Sequence, residues 1–156
     1  MTRAIILGCA VLASVVPLRA ENLARNPSFE IDTGGNGLPD EWRTSGDSRL
    51  VDQSLTADTG RDGRRCAHLA CTRFQPGNPA AHAMLCQMDL PVRRGVGYRL
   101  SFWAKGQRIA DQVVSVALSD TSVWAECGLQ DSFVPTPQWT QHHFVFRATR
   151  DCPKGS

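Results

Sequence analysis

The sequence predicts an all-β fold, an antiparallel β-sandwich of the jelly-roll kind. Short runs alternate apolar and polar residues at period two, and hardly any stretch has a helical period. Gly, Pro, Asp and Asn separate the runs at short spacing, as turns between antiparallel strands require. About 136 residues remain once a leader is set aside, enough for one domain with one core.

Residues 1–20 are read as that leader. Arg3 precedes an uncharged apolar run over 4–16, and Pro17-Leu-Arg-Ala20 breaks it and ends on a small residue. This is the layout of a secretory signal peptide cut after Ala20, and the run is too short to span a bilayer. The predicted domain is therefore 21–156, and its location secreted, periplasmic or at the cell surface.

The strands follow in order. Residues 67–72 place Ala67, Leu69 and Cys71 on one face, and 83–90 form a second, weaker run. The clearest is 98–105. There Tyr98, Leu100, Phe102 and Ala104 point one way, and Arg99, Ser101, Trp103 and Lys105 the other. Over 113–119, Val114, Val116 and Leu118 face inward; over 139–147, His142, Phe144 and Phe146 share a side. Pro91, Gly95, Gly97, Pro135 and Pro137 mark turns. The stretch 151–156 reads as a turn after a strand. This predicts a sandwich lacking its C-terminal strand or strands, because such an ending leaves an open edge.

The full chain carries 17 Lys+Arg and 15 Asp+Glu. Arg3 and Arg19 leave with the leader and no acid does, so 15 of each remain. A near-neutral domain gives no ground for a nucleic acid or anionic membrane partner. Of six cysteines, Cys9 leaves and five stay, which export allows to pair but whose odd number leaves one over. Sequence alone does not fix the pairing. Cys66 and Cys71 flank His68, but their spacing is wider than zinc halves use and there is no second half.

The glycine-rich stretch from Asp32 to Asp40 invites a calcium-loop reading. Counted from Asp32, the third and twelfth ligand positions of an EF-hand loop fall on Gly34 and Arg43, which supply no carboxylate. The glycines are explained by a wide surface turn.

Its flanks say more. Residues 22–30 read N-L-A-R-N-P-S-F-E, and 38–42 read L-P-D-E-W. D-G-R-R-C-A-H-L follows at 62–69, Q-M-D-L at 87–90, G-Y-R-L-S-F-W-A-K at 97–105 and W-T-Q-H-H-F-V-F at 139–146. In this order the runs resemble carbohydrate-binding modules of families 4 and 9, over about residues 22–150. The resemblance implies a galactose-binding-like jelly roll and a structural calcium ion. Glu30 would then supply a carboxylate, and Ser28 and Arg64 backbone carbonyls. The family's closing L-D-D-V-type strand, which usually brings a last calcium ligand, has no counterpart.

Trp42 and Trp139 sit at the edges of strand motifs and are expected as core anchors. Trp103 lies among polar side chains on the outward face of its strand, and Trp124 lies in a loop or strand edge. An exposed indole stacks on the C–H face of a pyranose while neighbouring polar groups bond the hydroxyls. The candidate sugar-binding set is therefore Trp103, Trp124, Gln87, Arg99 and Gln130. No catalytic residue is assigned. No carboxylate pair is marked, no nucleophile elbow is present, and His142 and His143 point to opposite faces of one strand. The expected function is non-catalytic binding of polysaccharide or oligosaccharide by a monomeric, exported module attached to a glycoside-hydrolase-type protein. The alternatives are a glycosidase fragment and a structural or adhesive cell-surface jelly roll.

Overall fold

The computed structural model describes residues 21–109 and 112–156, so the leader lies outside the described residues. The strands are β1 (Arg43–Ser45), β2 (Val51–Thr59), β3 (Arg65–Phe74), β4 (Met84–Cys86), β5 (Leu90–Val92), β6 (Gly97–Ala104), β7 (Val114–Asp120), β8 (Ala125–Phe133), β9 (Thr140–Arg147) and β10 (Cys152–Gly155). Every pairing is antiparallel. β5-β10-β7-β8 form a four-stranded sheet, and β1-β4, β2-β3 and β6-β9 pair in twos. Among the described residues no helix is long and apolar enough to cross a membrane.

The core lies between β6-β9 and the four-stranded sheet. Val92, Leu118, Cys127, Leu129, Phe144, Ala148 and Cys152 are buried there, with Tyr98, Leu100, Phe102, Phe133 and Phe146 packed against them. Phe102 of β6 meets Phe133 of β8 at 5.4 Å between ring centroids, edge to face. This is the geometry that ring quadrupoles favour. His142 also enters this cluster, 4.3 Å from Phe133, and its Nε2 has no hydrogen-bond partner. The expected alternation holds along β6 and β9, and along β7 for Val116 and Leu118, whereas Val114, expected inward, is exposed at the strand's start.

The hairpin joining β2 and β3 turns at Asp62-Gly63, both left-handed, with φ of 58° and 72°. Asp-Gly is the pair that tight hairpin turns select. β2 was not foreseen, because Gln53 and Ala57 stand among its inward positions. Gln53 tolerates burial because both ends of its amide are used. Nε2 donates to the Ser45 carbonyl at 2.7 Å, and Oε1 accepts from the Met84 N–H at 3.0 Å. On β3 the register slips beyond Gln53↔Cys71, and Cys71 is exposed instead of sharing the inward face of Leu69.

Two further expectations are corrected. The run 83–90 is not one strand but breaks between β4 and β5, where Asp89 is left-handed at φ 57°. The Arg25 guanidinium holds the break by donating to the carbonyls of Met88 at 2.6 Å and Asp89 at 3.3 Å. The residues from Cys152 onward are not a turn. They form β10, which lies between β5 and β7. Ser119 and Ser156 exchange both backbone bonds, at 2.8 and 2.9 Å.

Candidate functional site

β6 and β9 pair without a register shift, and this sets their outward face. Arg99 stands opposite Val145, Ser101 opposite His143, and Trp103 opposite Gln141. Phe102 and Phe144 between them point into the core, so these six side chains project away from it. Trp103 is 41 % exposed and Val145 79 %. The Arg61 guanidinium, from the β2–β3 turn, lies 4.0 Å from the Trp103 ring centroid, and its Nη2 is 3.4 Å from the Asp62 carboxylate. Such a cation–π contact at an exposed site contributes about 0.5–1 kcal/mol. It steadies the indole and brings N–H donors to its rim. Lys105 makes a looser contact of the same kind over Trp139, at 5.0 Å.

Trp103 and Arg99 thus share one surface, as period two required. Ser101, Gln141, His143 and Arg61 complete it. Of these, Gln141, His143 and Arg61 were missed as site residues, because strand register and the reach of a distant turn are not written in local sequence.

The other candidates lie elsewhere. Trp124 is the most exposed large hydrophobic side chain among the described residues, at 81 %, and is left-handed at φ 54° in the turn between β7 and β8. That turn is firmly built. The buried Asp120 carboxylate accepts from the N–H and hydroxyl of Ser122, and Thr121 bonds the Lys154 carbonyl through its N–H at 3.1 Å and hydroxyl at 3.0 Å. The Ser122 hydroxyl first, then its N–H, holds the Asp120 carboxyl below the usual range, with Arg150 adding to the effect and burial opposing it. Gln130 lines an open groove of about 420 Å³ with Val113, Ser115, Ala117, Asp131 and Ser132. At the usual strand rise it lies roughly 20 Å along β8 from Trp124. Phe102 and Phe133 meet in the core, so this groove and the Trp103 surface face opposite ways. Gln87 is 3 % exposed, with its amide paired to the Arg25 backbone through two bonds of 2.7 Å. It pins the segment before the first strand and presents nothing outward.

The segment around the glycine-rich turn is organised by Asn26. Its Nδ2 donates to the carbonyls of Ile31 and Asp40, both at 2.9 Å, and its Oδ1 accepts from the Ile31 N–H at 3.2 Å. Trp42 donates from Nε1 to the Asn26 carbonyl at 2.9 Å, and its ring lies 5.0 Å from Phe29. Within the turn, Asp32 accepts from the N–H groups of Asn36 and Gly37, and Asp40 from the N–H and hydroxyl of Thr33. These two carboxylates close the loop on itself. Glu30 Oε1 accepts from the Arg65 N–H at 2.8 Å, which sets it beside Arg64. The Arg64 carbonyl accepts from Gly60 at 2.6 Å, and Ser28 is exposed. Among the described residues no three His, Cys, Asp or Glu side chains converge on a metal position. A calcium shell takes six to eight oxygens. Backbone carbonyls can supply part of such a shell beside a carboxylate such as Glu30.

The all-β sandwich thus ranks an indole, a guanidinium, an imidazole, an amide and a hydroxyl on one sheet face. The chain belongs to the carbohydrate binding domain family whose members are grouped as modules 4 and 9, and it matches that family over residues 21–156. Searches of curated proteins and of solved structures returned no match.

Proposed function

We propose that this domain binds polysaccharide or oligosaccharide without cleaving it, on the outward face of β6 and β9. The observation that supports this reading is the ladder Arg99/Val145, Ser101/His143 and Trp103/Gln141 in a chain of the carbohydrate binding family. Trp103 stacks on the apolar face of a sugar ring. Gln141, Ser101, His143 and the guanidinium groups of Arg99 and Arg61 bond its hydroxyls. A module of this kind holds an attached glycoside hydrolase at its substrate and raises local concentration. That role belongs with the export expected from residues 1–20. The exposed Trp124 favours a second placement, at the β7–β8 turn.

Binding isotherms against a polysaccharide panel, run on Trp103→Ala and Trp124→Ala, separate the two placements. Trp103→Ala is expected to lose at least tenfold in affinity, about 1.4 kcal/mol, with its melting temperature little changed. Full binding by Trp103→Ala together with loss in Trp124→Ala moves the site to the turn. Loss of stability in these variants, with no binding of any panel member by the wild type, supports a structural module instead. A calcium ion at Glu30 belongs to the same proposal only with ligands additional to Ser28 and Arg64. Unchanged thermal unfolding on adding calcium or a chelator would remove it.

A further inference from the structure

Five cysteines stand as thiols in the described residues, and two of them differ from the rest. Cys127 on β8 and Cys152 on β10 are both 0 % exposed and belong to one core cluster. Both pack in that cluster beside Leu118 and Leu129. β7 separates their strands in the sheet, but β10 registers with β7 only at Gly155, so its Cys152 end is not held to β7. The approach to β10 lies along β8 instead, where the Thr149 N–H donates to the Cys127 carbonyl at 3.2 Å. Gly128 follows in a bulge, left-handed at φ 107°, and a methyl there would run into the Arg147 carbonyl. This close approach of backbones carries Cys127 to the start of β10.

We infer that Cys127 and Cys152 are the disulfide pair of this domain, closed by oxidation as β10 joins the sheet. The pairing leaves Cys66, Cys71 and Cys86 outside it. Two S–H bonds break and one Sγ–Sγ bond forms. The two protons and two electrons pass to a disulfide oxidant, either a thiol–disulfide oxidoreductase or oxidised glutathione, whose own disulfide becomes two thiols. Timing follows from burial. In the folded, reduced chain burial pushes the Cys127 thiol up to about 11, with the neighbouring Cys152 thiol adding to the shift, and thiolate is the attacking species. The bond therefore closes while the strand is still open. The bridge also fixes β10, whose Lys154 carbonyl holds the Trp124 turn through Thr121.

The test is refolding of the chain with oxidised glutathione, followed by alkylation, digestion and mass mapping. A peptide pair linking Cys127 to Cys152 is expected, with titratable thiols reduced by two. Adding a thiol reductant should then lower the melting temperature by roughly 10 °C. A Cys127→Ala/Cys152→Ala variant should show no response to reductant. Recovery of both residues as alkylated thiols after oxidative refolding, or of either linked to Cys66, Cys71 or Cys86, overturns the assignment.

Discussion

Replacing Asn26 tests how the glycine-rich segment is held. Asn26 is 7 % exposed, and its side chain makes three bonds, two donated from Nδ2 and one accepted at Oδ1. Alanine removes all three, and of the groups they join the Ile31 carbonyl alone keeps a backbone partner among the described residues, the Asp40 N–H at 2.8 Å. At about 1 kcal/mol net per bond the loss is about 3 kcal/mol. The backbone adds to this, because Asn26 is left-handed at φ 44°, where asparagine is tolerated better than alanine. Against a total of about 5–15 kcal/mol this is a large fraction, worth roughly 10 °C in melting temperature. Urea and thermal unfolding followed by circular dichroism, at fixed pH and redox state, measure it. Asn26→Gly relieves the backbone strain and isolates the side chain, so it should still lose most of the 3 kcal/mol estimated from these bonds. A loss below about 1 kcal/mol in Asn26→Ala would refute the assignment of Asn26 as the organiser of this loop.

Other outcomes follow from polar groups in or near the core. His142→Phe removes an imidazole whose Nε2 is buried without a partner among aromatic rings. It should raise stability by about 1 kcal/mol, and a fall in melting temperature would count against the packing described. Asp120 titrates below the usual carboxylate range in the fold, so its contribution is present above the unfolded value of about 4 and is lost as pH falls through the lower folded value. Asp120→Asn should therefore be less stable than wild type at neutral pH and lose less on acidification. Parallel acid limbs for the two proteins would contradict this.

Much of the sandwich was legible because β6 alternates over its eight residues, β9 from Gln141 to Arg147, and β7 from Ser115 to Leu118. β8 was hidden. Its bulge displaces Cys127 and Gly128 from register, so Glu126, Cys127 and Gly128 break the period that marks a strand. β10 was hidden because Pro153 and Gly155 signal a turn in isolation; its pairing with β5 and β7 is long-range. The site divides on the same ground. That Arg99 and Trp103 share a face follows from spacing within one strand. That Gln141 and His143 stand opposite them depends on register, and that Gln87 faces inward depends on Arg25, 62 residues away. A buried amide and an exposed one look alike until the partner is known.

The position of β10 bears on how the domain is assembled. Its two neighbours belong to earlier parts of the chain, with Gly155 registering on Leu90 and on Asp120. The four-stranded sheet therefore cannot close before residues 152–155 are made. Until residues 152–155 arrive, β5 and β7 each present an unpaired edge, and such edges recruit other strands. Non-local pairing of this kind also slows folding. A cell making this protein must keep the nascent sheet apart from its neighbours until β10 enters.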